Sequence, residues 1–179
     1  MAEGLLDHYL RDRGIRSVRV ESAGVIALEG SPPVAEIAEA AQERGLDISA
    51  HVARRLEREM VGRADLVVAM AAEHREAVRR IDQQAGDRTF TLKELVNVLD
   101  DFPGSDEEAG PEERLSAAVR WAGEHRWAAD PVSGGEDVAD PLGLSLMAYQ
   151  ATAWELDGLI ERLADELFRT NHDTEVAIG

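Results

Sequence analysis

Cysteine is absent from all 179 residues. That excludes disulfides, thiolate metal sites and a thiol nucleophile within these residues. Histidine is sparse, at positions 8, 51, 74, 125 and 172, and no two of the five have the His-x-x-x-His spacing of a helical zinc site. Neither a metal nor any other cofactor is therefore expected. Positive charge is in short supply. Nineteen Lys and Arg stand against 36 Asp and Glu, for a formal net charge of −17. Such a chain repels phosphate backbones and anionic lipid at long range, so neither nucleic acid nor a membrane surface is an expected partner. No apolar run approaches the roughly 20 residues that span a bilayer. The opening MAEGLLDHYL lacks the basic start and apolar block of a secretory signal, and the expected location is the cytoplasm.

What is present is strongly patterned. Asp137-Val-Ala-Asp-Pro-Leu-Gly143 runs straight into a long amphipathic segment. The residue before a proline is pushed out of the helical region, which places the Asp140 carboxylate on a loop. Taken alone, an Asp-Pro pair is a turn starter. Behind it Leu146, Tyr149, Ala153, Leu156, Ile160, Leu163 and Leu167 recur at steps of three and four, the apolar stripe of a helix packed on a core. Upstream, helices are predicted over residues 1–13, from Ser31-Pro-Pro to about Arg44, over 71–81 and over 92–99. Strands are predicted over Ser17–Ser22, over Asp65–Met70 as a run buried on both faces, and over Arg88–Thr91. Strand followed by helix, repeated, points to an α/β fold with a parallel sheet. The segment 100–136 is acidic and turn-rich around a helix from Pro111 to about Trp127. It reads as an insertion beside the Asp140 loop, either a partial lid or a solvated flap. The expected organisation is one domain over 1–169, with a disordered tail at 170–179.

Five of these pieces, in register, resemble the low-molecular-weight protein tyrosine phosphatase family, which includes arsenate reductases of the same fold. Met1-Ala-Glu-Gly-Leu-Leu6 is similar to the segment after the family's phosphate-binding loop. Glu21-Ser-Ala-Gly24 resembles its next strand-end motif, and Gly45-Leu-Asp-Ile-Ser-Ala-His-Val-Ala-Arg54 its G-hydrophobic-D-x-S-x-H-x-A-R stretch. Ala64–Met70 is similar to the buried third strand, and Asp137–Pro141 with the helix behind it to the general-acid loop and final helix. The resemblance implies a three-layer fold of the phosphotyrosine protein phosphatase I type, a short parallel sheet flanked by helices, with its first, central strand missing from this chain. The family signature, a Cys, five residues and an Arg, is also absent. Met1 falls where the family has a Met just after that signature, so the natural protein is expected to begin further upstream. Leu142 stands where the family usually has Tyr.

The same resemblance implies residue roles. In the family a thiolate attacks phosphorus, backbone amides at a helix N-terminus and an Arg hold the phosphate oxygens, and a loop Asp protonates the leaving phenolate. Asp140 is that general acid by resemblance, and Ser22 and His51 are the residues that steady the phosphate loop. The expected substrate is a phosphotyrosine protein or a small aryl phosphate. One general acid contributes about 10²–10⁴ in rate, whereas phosphate-monoester hydrolysis needs accelerations up to about 10²¹. Asp140 alone falls short by many decades, so the residues as they stand are expected to be inactive without an upstream phosphate loop. The alternative expectation is a catalytically dead pseudophosphatase acting as a binding or regulatory module. Thiol-dependent arsenate reduction needs further cysteines, and there are none.

Overall fold

The computed structural model describes residues 1–126 and 135–170. The chain runs α1 (Ala2–Asp12), α2 (Ala35–Gln42), α3 (Arg58–Arg63), β1 (Val67–Ala69), α4 (Ala72–Ile81), a 3₁₀ helix (Gln83–Arg88), β2 (Thr89–Thr91), α5 (Leu92–Leu99), α6 (Pro111–His125) and α7 (Leu146–Phe168). Residues β1 and β2 pair in parallel, Val67 with Thr89 and Ala69 with Thr91. Side chains alternate across a strand, and the alternation assigns the layers. Val68 packs into the main core with α1, α5, α6 and α7, while Val67 turns to the opposite face, where α3 and α4 supply Val61 and Val78. The fold is α/β, a short parallel sheet between helical layers.

Local chemistry explains the helix ends. After both α1 and α2 the chain closes in the same way. Ile15 N–H donates to Leu10 O and Gly14 N–H to Arg11 O; Leu46 N–H donates to Ala41 O and Gly45 N–H to Gln42 O. These are the paired bonds of a Schellman stop, which needs a left-handed residue at its turn. Gly14 and Gly45 supply it, with φ of +73° and +72°. The apolar residue that follows each glycine, Ile15 or Leu46, then packs on the main core. Helix α5 starts on a capping box: Thr91 Oγ1 accepts from Glu94 N–H at 3.2 Å and Glu94 Oε2 accepts from Thr91 N–H at 3.1 Å.

Helix α7 carries the predicted stripe. Tyr149, Ala153, Leu156, Ile160, Leu163 and Leu167 are buried, and Leu146 is half-buried at the start. It packs on α1, α2, α5 and α6.

Three expectations are corrected. Ser17–Ser22 is no strand. Val18 and Val20 rest on the core, but the backbone of these residues makes no hydrogen bond among the described residues, and only Gly24 forms a bridge, to Arg55. A strand needs a partner to exist, and none lies beside it among the described residues. Strand β1, paired on one edge only among the described residues, is three residues long with Val67 and Val68 half-buried, where a strand covered on both faces was expected. The helix expected in a lid or flap is a core element instead. Ala118, Val119 and Ala122 of α6 are buried, and Gly123 lies so close to the 3₁₀ helix that a Cβ there would stand 3.0 Å from Asp87 O. Arg126 then ties α6 to the sheet, donating to Gly86 O (3.0 Å), Thr89 O (2.9 Å) and Glu94 Oε1 (2.9 Å) over the Phe90 ring. Of the expected tail, Thr170 bridges to Ser105; residues 171–179, and 127–134 of the expected insertion, lie outside the described residues.

Candidate functional site

Two clusters contain the predicted site residues. The first gathers on Glu3, in the first turn of α1. Its Oε2 accepts from Ser22 Oγ at 2.5 Å and faces His51 Nδ1 at 3.5 Å, while Oε1 lies 3.9 Å from Arg54. Ser22 ends the extended segment after α1, and His51 and Arg54 lie on the stretch leading to α3, so three separate pieces of chain meet at one carboxylate. Its negative charge sits in the first turn of a helix, where the dipole favours it. Beside it Glu21 accepts from Arg63 at 2.6 Å, with Arg19 and Arg54 adding positive charge. The Arg63 hydrogen bond, more than the neighbouring charges, holds the Glu21 carboxyl below the usual carboxylate range.

The second cluster builds the Asp140 loop. Asp137 Oδ1 accepts from Ala72 N–H at 2.7 Å, the first residue of α4. Val138, buried, donates its N–H to Met70 O at 2.8 Å and so continues from the end of β1. Asp137 O accepts from Lys93 Nζ at 2.8 Å, and Ala139 O accepts from Thr152 Oγ1 of α7 at 3.3 Å. Glu136 pairs with Arg75 at 3.0 Å, and Arg75 with Glu94 at 2.6 Å. The chain is thus anchored residue by residue up to Ala139. At Asp140 the anchoring stops. Its carboxylate is exposed, and Oδ1 accepts only the local Leu142 N–H, at 3.0 Å. This is the Asx turn that an Asp-Pro pair favours. It leaves Oδ2 facing solvent among the described residues. Leu142, Leu144 and Met147 follow at once and are exposed.

The structure therefore brings Ser22 and His51 together, through Glu3, and sets Asp140 on a braced loop; no hydrogen bond or ion pair among the described residues joins the two clusters. Sequence reasoning missed Glu3, Lys93 and Thr152. Nothing in the spacing of Glu3 signals a site. Lys93 carried a readable signal, since it is the only lysine in the chain and it sits in the first turn of a helix, where the dipole disfavours a cation. Among the described residues no group of three His, Asp or Glu side chains is arranged to hold a metal ion. No helix among them is long and apolar enough to cross a membrane.

Comparison with known proteins adds to this geometry. The family model described as low molecular weight phosphotyrosine protein phosphatase matches residues 1–105. A protein-arginine-phosphatase of Geobacillus stearothermophilus is 29% identical over 158 residues, 88% of this chain and 82% of that protein. A probable low molecular weight protein-tyrosine-phosphatase, EpsP of Ralstonia solanacearum, is 36% identical over 104 residues, 58% of this chain and 68% of that protein. Among solved structures, the low molecular weight protein tyrosine phosphatase from T. tengcongensis superposes with a TM-score of 0.66 at 32% identity, covering 92% of this chain and 88% of that one. A YwlE mutant from Bacillus subtilis superposes with a TM-score of 0.67 at 28% identity, covering 93% and 87%.

Proposed function

Because this chain belongs to the low molecular weight phosphotyrosine protein phosphatase family, we propose that it is the acid-bearing portion of a phosphatase acting on phosphotyrosine proteins or small aryl phosphates, with Asp140 as general acid. The observation that carries the reading is the Asp140 loop: a run tied down at Asp137, Val138 and Ala139 that ends in an exposed carboxylate whose second oxygen accepts no hydrogen bond among the described residues.

The reaction follows in two steps. A thiolate forms a bond to phosphorus as the aryl C–O–P linkage breaks at the P–O bond, and Asp140 gives its proton to the departing phenolate oxygen. Asp140, now a carboxylate, takes a proton from water, which attacks the cysteinyl-phosphate and releases inorganic phosphate and the thiolate. The exposed Leu142, Leu144 and Met147 offer apolar surface beside the acid for an aryl ring. Ser22 and His51, held by Glu3, steady the phosphate loop. The thiol and the phosphate-gripping Arg of this scheme are assigned to a phosphate loop outside the 179 residues, which contain no cysteine.

That absence also supports a second reading, a pseudophosphatase that binds without turnover. Protein isolated from its own cells separates the two. An intact mass above 19.5 kDa, together with phosphotyrosine hydrolysis that falls about 10²–10⁴-fold in Asp140→Asn, supports the enzyme. A mass of 19.5 kDa with a cooperative melt and no aryl phosphate turnover supports the binding module. The match to a protein-arginine-phosphatase makes phosphoarginine protein the competing substrate class. Parallel assays with phosphotyrosine and phosphoarginine peptides decide it, and turnover of phosphoarginine alone would overturn the aryl assignment.

A further inference from the structure

The Asp140 loop has a brace that the proposed reaction does not use. Lys93 is the sole lysine in a chain whose other eighteen basic residues are arginines. It occupies the second position of α5, against the helix dipole, so helix stability does not explain its presence. Its side chain is 16% exposed, and its ammonium makes two contacts: it donates to Asp137 O at 2.8 Å and pairs with Glu155 Oε1 of α7 at 2.7 Å. A carbonyl and a carboxylate on different elements suit a compact point charge with three donors better than the wide planar fork of an arginine.

We propose that Lys93 is the positioning residue of the proton-donor loop, its ammonium joining the Asp137 carbonyl to Glu155 and thereby fixing where Asp140 projects. This rests on the reading of Asp140 as general acid. The Asp137 backbone is held on two sides at once, its carbonyl by Lys93 and its side chain by the Ala72 amide. The next two residues are held to Met70 and Thr152. Two residues lie between Asp137 and Asp140, a reach of about 10 Å when extended, and beyond Ala139 the contacts among the described residues are local: Leu142 N–H to Asp140 Oδ1, and Leu144 N–H to Pro141 O. A displacement at Asp137 is therefore passed on toward Asp140, beyond which only these local bonds hold the loop among the described residues. Of the ties upstream, the Lys93 contact is charge-assisted, which strengthens a hydrogen bond, and its donor side chain is largely withdrawn from solvent, at 16% exposed, while the accepting Asp137 is exposed.

The test compares Lys93→Met, Lys93→Arg and Glu155→Gln with the parent protein isolated from its own cells. The first readout is amide hydrogen exchange at Val138, Ala139 and Leu142, referred to Leu163 in the core of α7. Lys93→Met is expected to speed exchange at the loop amides about tenfold or more with Leu163 unchanged, Glu155→Gln less, and Lys93→Arg, whose planar fork fits the two acceptors less well, to keep only part of the protection. Equal exchange in Lys93→Met and parent overturns the brace, whatever Asp140 does. The second readout is kcat/KM for phenyl phosphate against p-nitrophenyl phosphate. A misplaced acid penalises the poor phenolate leaving group more than nitrophenolate, so Lys93→Met should lower the first by about tenfold more than the second, and Lys93→Arg should recover the ratio only in part. A uniform loss on both substrates means that Lys93 acts on the fold alone, which overturns the positioning role. The unmodified loop with Asp140→Asn is the control for the underlying reading: an unchanged leaving-group ratio in that variant removes Asp140 as acid while the exchange result still judges the brace.

Discussion

Glu166 shows how one side chain can work against the fold it belongs to. It lies on α7 among buried neighbours, paired with Arg169. Burial, ahead of any charge, raises its carboxyl above the usual carboxylate range, with Asp100 adding to the rise and Arg169 opposing it. A folded pKa above the unfolded one means that the native state holds its proton longer. The associated stability is complete below the ordinary carboxylate pKa and is lost as pH climbs through the raised value. Glu166→Gln keeps the shape without the charge, so its melting temperature relative to the parent should be more favourable at pH 7 than at pH 4. Equal differences at the two pH values would count against burial as the cause. At this scale the candidate site was partly legible. Asp140 announced itself because proline forces its predecessor out of helix, and the structure does set it on a loop. Glu3 was invisible, since only the folded chain brings Ser22, His51 and Arg54 round it from two distant segments.

Elements were more readable than contacts. The stripe on α7 and the apolar residues of α1 predict helices because burial at a period near 3.6 leaves a trace in sequence, and both helices are present. Strands left less of a trace. Three-residue strands are too short for a period of two to stand out, and Ser17–Ser22 alternates convincingly yet has no ladder to join among the described residues. The start of α5 was available in the Thr91-x-x-Glu94 pattern. Its box shares Glu94 with Arg75 and Arg126, so it serves the junction of α4, α5 and α6 as well as one helix end. Thr91→Ala should cost about 0.5–2 kcal/mol, read from urea unfolding, with Thr91→Ser recovering much of it. A loss no greater than that of an exposed Thr→Ala change elsewhere would show the cap to be idle.

For the molecule as a whole, charge and layering set the terms. The formal charge of −17 makes self-repulsion a destabilising field over the entire surface, and most of the ion pairs that oppose it are solvent-exposed and individually weak. Raising ionic strength from 0.01 to 0.15 M shortens the screening length from about 30 Å to about 8 Å. A gain of about 1 kcal/mol, or about 2–4 °C in melting temperature, is the expected outcome by calorimetry; a fall would mean that the ion pairs dominate. The alternation of strand and helix was enough to read an α/β fold. It could not show that α6 belongs to the core, because acidic, turn-rich flanks resemble a surface excursion whether or not the helix between them is buried. What makes that burial possible is a missing methyl. At Gly123 the α6 backbone approaches Asp87 O closely enough that a Cβ would stand at 3.0 Å, with the Arg126 fork less than one turn further on. A side chain at 123 would act as a shim driven into this seam, levering the guanidinium away from the carbonyls of Gly86 and Thr89. Alanine, the better helix former, should therefore loosen the molecule at a position where propensity alone would choose it.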